Sequence, residues 1–243
     1  MGATRAAPIR AGATSADVIP PGRNRAGRRR ARRVAGRNSA ARIRAPAGPA
    51  VSAAGGAVAG PDGLLRCPWG LSAEDYVAYH DDEWGRPVHG DDALFERLSL
   101  EAFQSGLSWL TILRRREGFR AAFAGFEIAA VAEFGPADEQ RLLADTGIIR
   151  NRLKVQATLA NARTLAAWAP GELDTLIWSH APDPAGRPAP RTLADVPAVT
   201  PESTALAKEL KRRGVRFVGP TTAYALMQAC GLVDDHLADC HAR

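Results

Sequence analysis

From residue 66 onward, apolar positions recur every three or four residues, the spacing of helices that bury one face. Leu94, Leu98 and Glu101 fall on one line, as do Phe95, Leu98 and Ala102. Gly106 interrupts that helix, and Trp109, Leu110 and Leu113 continue its apolar side. Asp91 or Asp92 is placed to cap it. Ser72 is placed to cap a short helix through His80, with Glu74 and Asp75 in the first turn, where the helix dipole favours anions. The pattern predicts further helices over 127–134, 137–145, 151–168 and 172–179, punctuated by Pro136 and Gly147. The stretch 181–201 holds six prolines and reads as a surface loop. A helix over about 202–213 should close at Gly214, and one from Thr221 to Cys230 at Gly231. No run alternates convincingly enough to predict a strand. The expected fold class is all-α, in one compact domain over 66–243.

Residues 1–65 break this pattern. They are rich in Ala, Arg, Gly and Pro and hold no aromatic side chain. Such a segment buries too little apolar surface to offset its ordering entropy, so it is expected to be a disordered tail. The Arg-rich run over 28–33 could hold phosphates loosely or belong to a targeting peptide. The tail also explains the charge. It carries 12 Arg against 2 acids, whereas the remainder carries 20 basic and 24 acidic residues. The net +6 therefore says little about what the body binds. Apolar runs fall short of a membrane span. Three cysteines and no signal peptide fit a reducing cytoplasm better than a disulfide scaffold.

Chemistry concentrates in 67–109, which holds one cysteine, two histidines and three of the five tryptophans, and in 236–240. Cys67 and His80 can join His236 and Cys240, whose i, i+4 spacing would put both on one side of a helical turn. Two sulfur and two nitrogen ligands suit tetrahedral Zn2+, and four protein ligands leave no position for a water nucleophile, so the site would be structural. Two buried free thiols beside unrelated histidines is the alternative, with His89 and His241 as spare ligands. Glu101 falls on an apolar helix face, where a carboxylate needs a partner. It is either a tie between helices or an acceptor for a ligand. Trp69, Tyr79 and Trp109 lie near it in sequence, and flat walls with one acceptor at the edge suit a flipped nucleobase. Core packing is the competing account of these rings, and the preferred one for Trp168 and Trp178; Trp84 stays undecided. The turn before the last helix, with Arg216, Val218, Gly219, Thr221 and Thr222, resembles a DNA-binding helix-hairpin-helix, whose free amides accept a phosphate. Phe217 stands where such turns usually have glycine, and Pro220 removes one donor. A plain helix connector is the alternative.

Seven stretches together resemble the 3-methyladenine DNA glycosylase I family. They are R-C-P-W at 66–69, Y-H-D-x-E-W-G at 79–85, L-E-x-F-Q-S-G-L-S-W at 100–109, G-I-I-R-N-R-x-K at 147–154, F-V-G-P-T-T at 217–222, M-Q-A-C-G-L at 227–232 and D-H-x-x-x-C at 235–240. The resemblance implies an all-α helix-hairpin-helix glycosylase fold, with a structural zinc on Cys67, His80, His236 and Cys240. It also implies Glu101 as the base-contacting acid and Trp69, Tyr79 and Trp109 as pocket rings. The implied reaction is hydrolysis of the N-glycosidic bond of 3-methyladenine in double-stranded alkylated DNA, by a monomer without an obligate protein partner. Asp234 lies near the place where related glycosylases keep a catalytic aspartate; a cap or a support for the zinc site is the preferred role. A zinc-stapled DNA-binding module without chemistry and a zinc hydrolase are the rival functions.

Overall fold

The computed structural model describes residues 55–243. The Arg-rich run and most of the expected tail lie outside the described residues. The body is helical: α1 (Glu74–Ala78), α2 (Asp91–Gln104), α3 (Trp109–Leu113), α4 (Arg116–Ala122), α5 (Ile128–Ala132), α6 (Pro136–Ala144), α7 (Arg152–Leu165), α8 (Glu172–Trp178), α9 (Pro201–Arg212) and α10 (Pro220–Ala229). A π-helical turn, Tyr79–Glu83, continues α1. One antiparallel hairpin, β1 (Val58–Ala59) with β2 (Leu65–Arg66), precedes them. No strand was expected from the sequence. Two residues per strand are too few for alternation to register. The hairpin meets the other end of the chain: the Ala57 amide donates to Asp239 Oδ1 at 3.1 Å, and the His241 amide to the Leu65 carbonyl at 2.8 Å.

α2 is the central helix. Leu94, Phe95, Leu98, Leu100, Ala102 and Phe103 are all buried on it, and a helix buried nearly all round belongs in the middle of a fold. Phe119, Phe123 and Phe126 pack on from the next turns, with Phe103–Phe119 centroids 4.6 Å apart. Each such ring contributes roughly 1.5–3 kcal/mol by leaving water. α4 was not expected. The charged triplet Arg114, Arg115 and Arg116 opens it, and only Phe119 and Ala122 face the core.

The expected caps differ. Gly90 occupies the N-cap of α2, and the two aspartates reach across instead. Asp91 accepts from the amides of Gly171 (2.8 Å) and Asp174 (2.9 Å), and Asp92 from the Ile128 amide (2.8 Å). They tie α2 to the starts of α8 and α5. Ala73, not Ser72, caps α1; the Ser72 hydroxyl donates to the Trp69 carbonyl. At the other end Thr200 and Ser203 form a reciprocal cap on α9. α9 and α10 pack together through the turn 213–219. No helix among the described residues is long and apolar enough to cross a membrane.

Candidate functional site

Cys67, His80, His236 and Cys240 converge. Their ligand atoms lie within 4.8 Å of one another and all four residues are buried. Cys240 Sγ is 3.5 Å from His80 Nε2 and 3.6 Å from His236 Nδ1, and Cys67 Sγ is 3.8 Å from His236 Nδ1. The group could hold a metal ion. Its origin differs from expectation, since His236 and Cys240 do not share a helical turn. Residues 234–243 form a succession of tight turns after α10, and the Asp234 side chain fixes the first by accepting from the His236 amide at 3.1 Å.

The outward nitrogens of both imidazoles are occupied. His80 Nδ1 is 2.7 Å from Asp81 Oδ1, and His236 Nε2 donates to the Trp84 carbonyl at 3.1 Å. These bonds fix ring orientation and turn His236 Nδ1 and His80 Nε2 towards the thiols, the latter also accepting from the Cys67 amide at 3.3 Å. Burial would raise the Asp81 carboxyl, but bonds from Arg66, His80 and His241 outweigh it and hold it well below the usual carboxylate range. Burial pulls His80 and His236 below the ordinary imidazole value, and pushes the Cys67 thiol up to about 12. Neutral imidazoles are competent ligands, and a bound dication would reverse the thiol's shift. Neither spare histidine joins: His89 stacks on Trp178 and bonds Asp174, and His241 contacts Asp81.

A second group shares the π-helical turn. Tyr79 precedes His80, and its ring centroid lies 5.4 Å from that of Trp109 and 6.3 Å from that of Trp69. Trp69 also meets Trp84 edge-on at 5.0 Å and Tyr76 at 5.6 Å. Trp84, undecided from sequence, thus belongs to this aromatic group and also touches His236 at 4.8 Å. Trp168 and Trp178 pack against the main core, as Trp109 also does.

Glu101 is 5% exposed and makes no hydrogen bond within the described residues. Burial raises its carboxyl to about 8, opposed by the Arg97 charge. Among the described residues, the buried side-chain atoms without a partner are Arg97 Nη1, Ser99 Oγ and Trp109 Nε1. Buried polar groups are usually satisfied, so the unbonded Glu101 carboxyl, with Arg97 one turn away, is a candidate place for a polar ligand. Arg97 was missed from sequence, although it stands four residues before Glu101 and therefore one turn away on the same face. Its Nη2 reaches Glu83, which Arg116 also grips.

A cleft of about 380 Å³ runs beside this group, walled by Trp69, Trp84, Tyr224, Gln228, Asp235 and Thr221 among others. Glu101, Tyr79 and Trp109 are not on its walls; the Tyr79 and Trp109 rings pack against each other. Thr221 is in the first turn of α10, so the cleft reaches the α9–α10 turn. There Gly219 is the N-cap with no side-chain bond, and Pro220 follows. Asn161 clamps the turn by accepting from the Arg216 amide at 2.7 Å and donating to the Arg216 carbonyl at 3.0 Å. Arg216, Val218, Gly219, Thr221 and Thr222 thus gather at one end of the α9–α10 pair.

Fold and site together define a helical protein with a buried unbonded carboxyl, a packed group of aromatic rings and a buried Cys2His2 cluster. Residues 69–243 match the model of the methyladenine glycosylase family, and the chain belongs to that family. It is 45% identical over 179 residues to DNA-3-methyladenine glycosylase 1 of Escherichia coli (strain K12), covering 73% of this chain and 96% of that one. It is 44% identical over 180 residues to DNA-3-methyladenine glycosylase of Haemophilus influenzae, covering 72% and 96%. Among solved structures, a crystal structure of 3-methyladenine DNA glycosylase I superposes with a TM-score of 0.67 at 44% identity, covering 72% of this chain and 98% of that one. The Staphylococcus aureus 3-methyladenine DNA glycosylase I, described for its 3-methyladenine recognition, gives 0.65 at 34% identity, covering 73% and 95%.

Proposed function

We propose that this protein is a DNA-3-methyladenine glycosylase that hydrolyses the bond between 3-methyladenine and deoxyribose, leaving an abasic site. Curated relatives of that name, matched over nearly their whole length, support the activity. The observation that carries the site is Glu101: a buried carboxyl without a hydrogen-bond partner, close enough to Tyr79 to act on its hydroxyl, with Trp109 and Trp69 packed round that ring. Methylation makes the adenine cationic within DNA, so the leaving group is already activated. Water adds at the sugar carbon and gives up a proton to solvent, the glycosidic bond breaks, and its electron pair neutralises the departing base. The chain's task is to extrude the nucleotide, hold the base and admit that water. Glu101 accepts from the base edge and offsets its charge, and the rings stack on its faces at roughly 1–3 kcal/mol each. With the leaving group so activated, Glu101 need not act as a general base. Asp234 is engaged with the His236 amide and is assigned to the turn rather than to the chemistry. Tyr79 and Trp109 stand closer than a base sandwiched between them would leave them, so one ring swings aside on entry.

DNA is held by the α9–α10 turn, read as a helix-hairpin-helix. Its Gly219, Thr221 and Thr222 amides meet a phosphate at the start of α10, with Arg216 adding charge and Val218 seating the turn. The metal is zinc, in a structural role. Zinc bonds of about 2.3 Å to sulfur and 2.0–2.1 Å to nitrogen, at tetrahedral angles, set sulfur–nitrogen edges of about 3.6 Å. Three of the four sulfur–nitrogen edges in the cluster are 3.5, 3.6 and 3.8 Å. The ion would clamp β2 and the π-helical turn to the C-terminal turns. Purified protein incubated with methylated duplex DNA should release free 3-methyladenine, and Glu101→Gln should release it far more slowly. Binding without release would establish the rival reading, a zinc-stapled binding module.

A further inference from the structure

Two residues outside the assigned site link its parts. Lys154, on the first turn of α7, is 6% exposed. Its ammonium donates to the carbonyls of Phe103 (2.7 Å) and Ser105 (2.6 Å). Those carbonyls end α2, the helix that carries Glu101, and begin the turn that delivers Trp109. A cation there satisfies orphan acceptors and complements the helix dipole. The same ammonium lies 5.9 Å from the centre of the Phe217 ring, within cation–π range. Asn161, two turns further along α7 on the same face, clamps the backbone at Arg216. One face of α7 therefore touches the Glu101 helix at one point and the α9–α10 turn at two.

Phe217 is the unusual member. Its φ of +63° is in the left-handed region, which disfavours bulky side chains and suits glycine. Phe126 shares that conformation but is fully buried, so core packing accounts for it. Phe217 is 40% exposed, so burial in the core does not explain why a phenyl ring is kept there. Strain retained at an exposed position beside a binding turn points to function.

We propose that Lys154 and Phe217 are positioning residues that set the distance between the DNA-holding turn and the base recess. Phe217 braces the turn against the ammonium, and the ammonium fixes the end of α2. The extruded base then reaches Glu101 and Trp109 in register while the phosphate stays at Gly219. The inference rests on the glycosylase reading above and gives the two residues no contact with the reacting atoms.

The test compares Phe217→Gly, Lys154→Met and the double variant with wild type, by melting temperature, by affinity for free 3-methyladenine from tryptophan fluorescence, and by kcat on methylated duplex. Phe217→Gly should melt no lower than wild type, because glycine suits the turn. Its affinity for the free base should stay within about twofold, while kcat falls at least about tenfold, since misplacement by about an ångström is costly. Lys154→Met should show the same split, and the double variant should lose no more than the worse single one, because both break one connection. Wild-type kcat in Phe217→Gly, base affinity and turnover falling together, or losses that multiply would each overturn the proposal. Should Lys154→Met fail to fold, the exposed Phe217→Gly carries the test. A wild-type protein that releases no base would instead overturn the glycosylase reading.

Discussion

His236 donates through Nε2 to the backbone carbonyl of Trp84 at 3.1 Å. One ring of the metal-ready cluster is thereby bonded to a wall of the aromatic group, so the cluster bears on the recess as well as on the chain ends.

Emptying the proposed metal site should therefore reach the aromatic group through stability. Cys240→Ala, or chelation of the wild type, should lower the melting temperature by about 5–15 °C, the scale of a few kcal/mol in a domain of this size. Turnover per folded molecule should change far less. Metal analysis of purified protein should find one zinc per chain, and a fully stable Cys240→Ala variant would count against a structural ion.

Glu101 predicts a pH dependence of definite sign. Its folded value of about 8 lies above the ordinary 4.5. Between those values the native state holds a proton that the unfolded state has released, so stability falls as pH rises from about 4.5 to 8. The loss is of the order of a few kcal/mol. Glu101→Gln cannot ionise, and its melting curve should be flatter across that window. Because the ionised form is the one that offsets a cationic base, kcat/KM of wild type should rise with pH towards about 8. Glu101→Gln should lack that limb and be about 100-fold slower, the scale of losing one electrostatic contact in the transition state. Parallel melting profiles for the two proteins would refute the assignment.

Gly231→Ala should be among the most damaging substitutions. Gly231 has a φ of +74°, and a Cβ there would lie 2.7 Å from the Arg86 carbonyl carbon and Pro87 nitrogen and 2.8 Å from the Gly85 oxygen. Those are backbone atoms that cannot step aside. The strand of chain they belong to carries Trp84, so a loss of more than about 3 kcal/mol is expected, with poor soluble yield.

Gly219→Ala should behave oppositely. Nothing lies within 4 Å of its would-be Cβ and its φ is −110°, so folding should be unaffected. The open space is where a phosphate would approach, and KM for DNA should rise about tenfold, with a shallower dependence on salt. Affinity for the free base should not move.

Much of this was legible in the sequence because the relevant signals are local. Gly214 and Gly231 close α9 and α10 where expected, and Pro136 opens α6. The cluster's four residues were identifiable, but not the reason they meet. Helical spacing suggested a shared turn for His236 and Cys240, whereas tight turns pinned by Asp234 bring them together. Asp91 and Asp92 look like caps because capping is a short-range pattern, while their actual partners lie about 36 and 80 residues away. Arg97 was hidden for a related reason: an arginine on a helix usually signifies solvent, and only the tertiary fold turns this one towards Glu101.

The π-helical turn at Tyr79–Glu83 carries neighbours into different assignments, Tyr79 to the aromatic recess and His80 to the cluster. Its wide winding holds one residue more than an α-helical turn, so deleting any one of the five would close it to an ordinary turn and change the directions of Tyr79 and His80 relative to each other and to Trp84. On the proposed reading, base holding and metal holding are geared to a single cog of backbone, and neither can be re-engineered by changing the length of that turn without disturbing the other.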